Sequence, residues 1–231
     1  MVFKKWDDLP DCMKNDSVIL YYEVLKKKQF SLLAKRLFDL VIASITSVIL
    51  MPIFIILSLA VKLDSNGPVM YRQTRVTQYG KKFMIFKFRT MVHNTDEIGA
   101  LVTTKNDIRV TKVGKILRKF KLDEIPQLLN IIMGDMSFVG TLLLPAGVTS
   151  EASITYKNEE LLLSDADDTD EKYIHAILPE KMKYNLRSLK EYNFFCDIKT
   201  MVRTVVAVFK RDEDKNEISD TASMAEINNA K

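Results

Sequence analysis

Two adjacent acidic residues, Asp123 and Glu124, stand in the middle of the sequence FKLDEIPQLLN. If Asp123 is the N-cap of a helix, Pro126 falls in the first turn, where a missing backbone N–H costs nothing. The helix dipole then keeps both carboxylates ionised. An ionised aspartate can attack phosphorus, and a neighbouring glutamate can hold a magnesium ion that offsets phosphate charge. The spacing alone leaves both capping and catalysis open.

Basic residues precede this acidic pair in short, evenly placed segments. Lys87 and Arg89 stand among Phe86, Phe88 and Met91, an unusual place for charges on a solvated face. Basic groups gathered around two carboxylates suit a diphosphate substrate, whose oxygens they hold. Scattered surface ion pairs, which are frequent and weak, are the competing interpretation. The basic residues concerned are Arg72, Arg75, Lys87, Arg89, Arg109 and Arg118.

The composition of the 231 residues narrows the class of protein. A net charge of +4 is well below the basic excess of a typical nucleic-acid binder, so we expect no nucleic-acid partner. The same charge suits a surface that meets phosphates or lipid headgroups. Cys12 and Cys196 are the only cysteines in the sequence, which indicates neither a disulfide framework nor a zinc site.

An uncharged run extends from Leu40 to Val61 and is long enough to be a membrane segment. Basic residues flank both of its ends, and positive residues favour the cytoplasmic side. A re-entrant helix hairpin, broken at Pro52, satisfies both flanks by entering and leaving through one face. From the residues alone, a full span is an equal alternative. We expect Lys35, Arg36 and Asp39 to lie at the headgroup level.

These patterns divide the chain into four parts. Residues 1–39 form an N-terminal amphipathic segment, which either lies on the membrane or packs on the core. The re-entrant membrane helix covers 40–62, a cytosolic catalytic domain covers 63–210, and a mobile polar tail covers 211–231. Two short strands around Gly80 and several helices predict an α+β fold, mostly helical with a small β-hairpin or sheet.

The helices of the catalytic domain follow from apolar periodicity and from start and stop signals. Two helices are predicted between Thr111 and Gly134, the second beginning near Asp123 and ending at Gly134. Three further helical segments follow nearer the C-terminus. The middle segment opens on Pro179, as is common for prolines in a first turn.

Long parts of the sequence resemble the bacterial sugar transferase family, the monotopic polyprenyl-phosphate phosphoglycosyl transferases that start lipid-linked glycan assembly. The resemblance runs almost unbroken from Lys35 to Thr141 and continues more loosely to about Phe209. It includes, in order, the motifs GP, KFRTM, RVTKVG, LR and LDE-PQL. It implies a re-entrant membrane helix broken at a proline. It also implies a place in the bacterial inner (cytoplasmic) membrane, with the catalytic domain on the cytoplasmic face.

The resemblance also implies a reaction and roles for the residues singled out above. Members of the family transfer a phosphosugar from a nucleotide sugar, usually a UDP-sugar, to polyprenyl (undecaprenyl) phosphate, with Mg²⁺. This step starts exopolysaccharide, capsule or glycoconjugate synthesis. By resemblance, Asp123 is the nucleophile that takes up the phosphosugar and releases UMP, and Glu124, with Asp123, serves the metal. A homodimer is left open. The implied substrate-phosphate ligands are Lys87, Arg89, Arg109 and Arg118.

One departure from the family pattern follows the sequence SFVG. Members of the family usually continue into Pro-Arg-Pro or Thr-Arg-Pro, whereas here Thr141 is followed directly by Leu142. Our hypothesis is a deletion at this junction that removes an arginine near the substrate phosphate. Losing one charge-assisted contact costs on the order of 1.5–3 kcal/mol in binding. The alternative function is therefore a catalytically impaired, membrane-anchored relative that acts as a scaffold or partner.

Overall fold

The structure, a computed structural model, describes residues 3–92, 107–140, 143–156 and 169–209. In these ranges the chain is mostly helical and contains two small sheets, which confirms the predicted α+β class in this coarser form. The junction Thr141–Leu142 and the predicted tail, 211–231, lie outside the described residues.

Helix α1 (Asp16–Lys26) begins after Asn15, whose side chain accepts a hydrogen bond from the backbone N–H of Val18 at 3.1 Å. Leu25 is fully buried in an apolar cluster with Leu189 near the C-terminus. On this face the N-terminal segment is a helix packed on the core, one of the two predicted alternatives. The opposite face of α1 exposes Leu20.

The uncharged run forms two helices, α2 (Gln29–Ile49) and α3 (Met51–Asp64), bent by 63° relative to each other. The break falls at Leu50, and Pro52 lies in the first turn of α3, where its missing N–H leaves no helical bond unmade. In the described ranges no single helix has the length and apolarity to cross a membrane, whereas this bent pair together does. The re-entrant path stays a prediction.

Two antiparallel strands follow, β1 (Met70–Val76) and β2 (Lys82–Phe88). The sequence prediction of this hairpin around Gly80 is confirmed. Gly80 has a φ of 74°, a left-handed conformation that glycine adopts without steric cost. One face of β2 buries Phe83 and Ile85, and Phe88 is buried at its end, so the hairpin is anchored in the core.

Helices α4 (Lys112–Lys119) and α5 (Gln127–Met133) follow, joined by a short 3₁₀ turn (Leu122–Glu124). The predicted end of α5 at Gly134 is confirmed, since Gly134 is its left-handed C-cap with a φ of 92°. The predicted start near Asp123 is wrong. The α5 helix begins at Gln127, because the preceding residues form the separate 3₁₀ turn.

A second sheet, absent from the sequence prediction, pairs β3 (Met136–Val139) and β4 (Ala146–Thr149) in parallel. Only residues 140–145 connect them, whereas parallel strands usually need a crossover of about a dozen residues or more. The two described ends of the connection lie close together, since a Cβ on Gly140 would lie 1.8 Å from the carbonyl oxygen of Pro145. This short connection contains the Thr141–Leu142 junction.

The remaining helices are α6 (Glu151–Thr155), α7 (Thr169–Lys172), α8 (Leu178–Lys190) and α9 (Phe194–Phe209). A π-helical turn joins α7 to α8. The predicted helical segments are confirmed, and Pro179 lies in the first turn of α8.

The charged residues of α2 contact the protein interior, so their predicted position at the headgroup level is wrong for Lys35 and Asp39. Each of these two residues is 2% exposed. The Lys35 ammonium lies 3.5 Å from the carboxylate of Asp39 and 3.2 Å from that of Asp197 on α9. The hydroxyl of Ser137 on β3 donates to Asp39 at 2.6 Å. Partners from distant parts of the sequence therefore compensate these charges inside the fold, although Oδ1 of Asp39 has no hydrogen-bond partner among the described residues.

Arg36 joins the same helix to the end of α5. Its guanidinium donates to the carbonyl oxygens of Ile131 at 2.6 Å and Ile132 at 3.1 Å. These carbonyls belong to the last turn of α5, where backbone donors run short; Ile131 also accepts the N–H of the C-cap Gly134 at 3.1 Å. Helix α2 is thereby fixed to the helix that follows the acidic pair.

Candidate active site

The acidic pair lies on the 3₁₀ turn between α4 and α5. Lys121 precedes this turn in the left-handed conformation, with φ 54° and ψ 23°. Asp123 is not the N-cap of α5, as the sequence suggested, because Pro126 occupies that position. Packing explains the difference: Leu122 and Ile125 pack against the buried cluster that contains Phe88 and Leu117.

The Asp123 carboxylate is largely buried. The residue is 7% exposed, and its Oδ1 has no hydrogen-bond partner in the described part of the chain. Burial raises the pKa of Asp123, and the charge of Glu124 raises it further. The positive charges of Lys87, Lys121 and Arg118 oppose that rise. The net effect raises the pKa of Asp123, and these three cations are the groups that favour its ionised form.

Lys87 is the predicted base that directly contacts the acidic pair. Its ammonium donates to Glu124 Oε1 at 2.9 Å, and both side chains are about three-quarters buried. Lys87 is placed there by β2, where it pairs with Tyr71 of β1 near the end of the hairpin. The hairpin and the 3₁₀ turn are therefore joined by a charge-assisted hydrogen bond.

Arg118 lies at the end of α4, near enough to lower the pKa of Asp123. Its Nε donates to the hydroxyl of Thr90 at 2.9 Å. Gly114 allows α4 to lie close to Thr90, since a Cβ at position 114 would lie 2.1 Å from the Thr90 carbonyl oxygen. The Thr90 carbonyl accepts the backbone N–H of Thr111 at 3.0 Å, which fixes the start of α4.

Arg89 and Arg109 have their nearest partners away from the acidic pair. Arg89 is 6% exposed, and its Nη2 donates to the carbonyl and hydroxyl oxygens of Ser65 at 2.6 and 2.9 Å, just beyond α3. Its Nε and Nη1 are buried without a partner in the described residues. Arg109 binds the carboxylate of Asp107 at 2.6 Å, and hydrogen bonds from Arg109 lower the pKa of Asp107. The substrate-phosphate roles of both arginines stay predictions.

Asn130 positions the site although the sequence interpretation did not single it out. It is fully buried on α5, accepts a hydrogen bond from Phe86 N–H at 3.0 Å and donates to the Met84 carbonyl at 2.8 Å. One amide thus satisfies one backbone N–H and one backbone carbonyl on the edge of β2 that faces away from β1. A lone asparagine within the apolar run QLLNIIM was the available signal.

The carboxylates of Asp123 and Glu124 are the proposed ligands for a magnesium ion. In the described ranges, no group of three or more histidine, cysteine, aspartate or glutamate side chains could hold a metal ion. Mg²⁺ is usually bound by one or two carboxylates together with substrate phosphates. Oδ1 of Asp123, which no described residue hydrogen-bonds, and the neighbouring carboxylate of Glu124 fit that kind of site.

Comparison with known proteins gives consistent matches across the site. The profile of the family described as "Bacterial sugar transferase" matches residues 30–211, more than half of the chain. The chain is 45% identical over 106 residues to the UDP-glucose:undecaprenyl-phosphate glucose-1-phosphate transferase of Klebsiella pneumoniae, covering 46% of this chain and 23% of that protein.

Two further relatives have similar names. A UDP-N-acetylgalactosamine-undecaprenyl-phosphate N-acetylgalactosaminephosphotransferase of Aeromonas hydrophila is 42% identical over 106 residues, covering 46% of this chain and 25% of that protein. A putative undecaprenyl-phosphate N-acetylgalactosaminyl 1-phosphate transferase of Bacillus subtilis is 39% identical over 106 residues, covering 46% of this chain and 59% of that protein. The matched region therefore spans less than two thirds of each of these relatives.

Proposed function

Because the chain belongs to the bacterial sugar transferase family, we propose that it transfers a phosphosugar from a UDP-sugar to polyprenyl (undecaprenyl) phosphate. The relatives named above carry this type of activity in their names. One observation carries the proposal for this chain: the buried Oδ1 of Asp123 has no hydrogen-bond partner among the described residues, and Asp123 lies near enough to the Lys87–Glu124 ion pair to be affected by both charges. A carboxylate held beside cations is suited to meet a diphosphate.

The first step forms a covalent aspartyl intermediate. A carboxylate oxygen of Asp123 attacks the phosphorus atom that carries the sugar, forming an acyl phosphate bond. The P–O bond to the uridylyl group breaks, and UMP leaves with the electron pair. The positive charges of Lys87, Lys121 and Arg118, which act on Asp123, favour the ionised nucleophile.

The second step restores the carboxylate. An oxygen of polyprenyl phosphate attacks the same phosphorus atom, and the bond from phosphorus to Asp123 breaks. The product is a polyprenyl diphosphate sugar, which starts exopolysaccharide, capsule or glycoconjugate synthesis. Asp123 and Glu124 would hold Mg²⁺, which supplies neutralisation of phosphate charge when bound.

A membrane location accompanies this proposal, because polyprenyl phosphate is a lipid. Exposed apolar side chains cover the outer surfaces of α2 and α3, among them Leu37, Val48, Ile56 and Leu63. Such surfaces are suited to lipid rather than water. We infer that the bent pair enters the cytoplasmic leaflet of the inner membrane and returns to the same face.

A second candidate function is an impaired, membrane-anchored relative that acts as a scaffold. The unusually short parallel connection at residues 140–145 favours it, because the expected Arg-Pro motif is missing there. Insertion of Thr-Arg-Pro between Thr141 and Leu142 tests this idea. A gain in UMP release supports impairment of the natural chain, and unchanged release contradicts it.

UMP release from a UDP-sugar in the presence of polyprenyl phosphate tests the main proposal. We expect purified protein with Mg²⁺ to release UMP from UDP-glucose or UDP-N-acetylgalactosamine, the donors that the relatives' names suggest. The Asp123→Asn variant is expected to release none. Absence of release from the natural chain across a panel of UDP-sugars contradicts the enzyme and favours the scaffold.

A further inference from the structure

Lys121 adopts a backbone conformation that its side chain disfavours. Its φ is 54°, and in the described part of the chain Tyr79 is the only other non-glycine residue with a positive φ. Left-handed backbone is sterically costly for residues with a Cβ, and glycine or asparagine usually occupies it. A lysine at such a position therefore needs an explanation other than the local fold.

The fold requires a left-handed residue at this point. The Lys121 N–H donates to the carbonyl of Arg118 at 3.2 Å, which closes α4. Its own carbonyl accepts the N–H of Glu124 at 3.3 Å, which begins the 3₁₀ turn of the acidic pair. Glycine would satisfy both bonds with less strain, so the backbone does not explain the lysine side chain.

The Lys121 ammonium has no hydrogen-bond or ion-pair partner within the described residues, and its side chain is exposed. By contrast, Lys87 is bonded to Glu124, and Arg118 to Thr90. All three cations lie near enough to Asp123 to affect it. Lys121 is thus the member of this group with no side-chain partner among the described residues, so all of its ammonium donors are available to a ligand.

We propose that Lys121 is a further phosphate-binding residue of the active site. Its ammonium donates to a non-bridging phosphate oxygen of the group that reaches Asp123, and the strained backbone keeps it beside that group. The phosphate belongs either to the nucleotide sugar or to the polyprenyl acceptor, and both share this chemistry. The inference rests on the proposed transferase function and assigns one more residue to its substrates.

A set of substitutions separates the charge from the backbone. Lys121→Gly and Lys121→Asn remove the charge and introduce residues that tolerate a left-handed backbone. Lys121→Arg keeps the charge. Lys119→Ala is the matched control, since Lys119 is an exposed base at the end of α4. The measurements are the thermal midpoint, KM for UDP-glucose, KM for polyprenyl phosphate, and calorimetric binding of UDP-glucose without acceptor.

We expect Lys121→Gly to unfold at the same or a higher temperature than the natural chain and to raise one KM by about tenfold. The KM that rises identifies the nucleotide sugar or the lipid as the source of the phosphate. Lys121→Arg and Lys119→Ala are expected to keep both KM values within about twofold. An Lys121→Gly variant with both KM values unchanged overturns the proposal.

The binding measurement distinguishes this inference from the transferase function itself. If the natural chain releases no UMP yet binds UDP-glucose, and Lys121→Gly weakens that binding, Lys121 is supported and the transferase proposal fails. If UMP release is robust and Lys121→Gly behaves like Lys119→Ala in every assay, the transferase proposal stands and the role of Lys121 fails.

Discussion

The ammonium of Lys87 donates to the carboxylate of Glu124 at 2.9 Å and thereby joins the end of the β-hairpin to the turn that carries Asp123. The two residues come from segments far apart in the sequence, and both side chains are largely shielded from solvent. Their contact holds a cation beside the proposed nucleophile. The geometry of the acidic pair therefore depends on the hairpin as well as on its own turn.

Replacement of Lys87 tests that dependence. Lys87→Met leaves the Glu124 carboxylate without its cation, and we expect kcat/KM for UMP release to fall by about tenfold or more. The unfolding free energy is expected to fall by about 1–3 kcal/mol, because the variant leaves the largely buried Glu124 carboxylate without its partner. Lys81→Met is the control, since Lys81 pairs with Asp135 at 3.2 Å on an exposed part of the hairpin. Equal losses of activity in both variants contradict a special role for Lys87.

Asn130 is expected to be essential for docking α5 onto β2. Asn130→Asp replaces the donor to the Met84 carbonyl with a buried negative charge, which we expect to destabilise the fold by about 2–4 kcal/mol. Thermal unfolding in detergent measures this change. Asn193→Asp is the control, because Asn193 is exposed and its side-chain oxygen, which aspartate retains, accepts the Phe195 N–H at 3.0 Å. Similar unfolding temperatures for the two variants would show that the Asn130 bonds are dispensable.

Gly114 allows α4 to approach the end of the hairpin. Gly114→Ala places a Cβ 2.1 Å from the Thr90 carbonyl oxygen, so backbone must move. We expect a loss of about 1–3 kcal/mol of stability, although alanine is the better helix former. Lys115→Ala, at an exposed position of the same helix, is expected to be neutral or stabilising. An equally stable Gly114→Ala variant contradicts the close packing of α4 against Thr90.

Some of this architecture is readable from the sequence for local reasons. The β-hairpin follows from strand-forming residues on both sides of Gly80, and the end of α5 follows from Gly134, whose left-handed conformation closes the helix. The acidic pair could be singled out because Asp123 and Glu124 are adjacent and stand just ahead of Pro126. Each of these signals lies within a few residues of the feature that it predicts.

Features that depend on contacts between distant parts of the chain could not be predicted from the sequence. The predicted start of α5 is wrong because Leu122 packs in a cluster with Phe88. This packing favours the 3₁₀ turn over a longer helix. Lys35 was assigned to the headgroup level because its partner Asp197 lies near the other end of the chain. The periodicity of apolar residues predicts local helices and strands but not such tertiary contacts.

The buried cluster of Lys35, Asp39 and Asp197 predicts a pH-dependent contribution to stability. Burial raises the pKa of Asp197 above its ordinary value of 3.8, the charge of Asp39 adds to the rise, and Lys35 opposes it. The folded state therefore binds this proton more tightly than the unfolded state. The resulting stabilisation is complete below pH 3.8 and is lost as the pH rises through the folded-state pKa.

Asp197→Asn removes this titration while preserving the size of the side chain. We expect the thermal midpoint of the natural chain, relative to that of Asp197→Asn, to be highest in acid and to fall as the pH rises toward neutrality. Thermal unfolding of both proteins in the same detergent over a pH series measures the difference. A difference that increases with pH would indicate that the ion pair with Lys35 outweighs the cost of burial.

Trapping the covalent intermediate tests the central claim most directly. Purified protein is incubated with Mg²⁺ and a UDP-sugar labelled with ³²P at the phosphate that carries the sugar, without a lipid acceptor. We predict label on the natural chain at Asp123, its loss when polyprenyl phosphate is added, and no label on Asp123→Asn. A natural chain that releases UMP without ever carrying label, or an Asp123→Asn variant labelled to the same extent, would contradict the account.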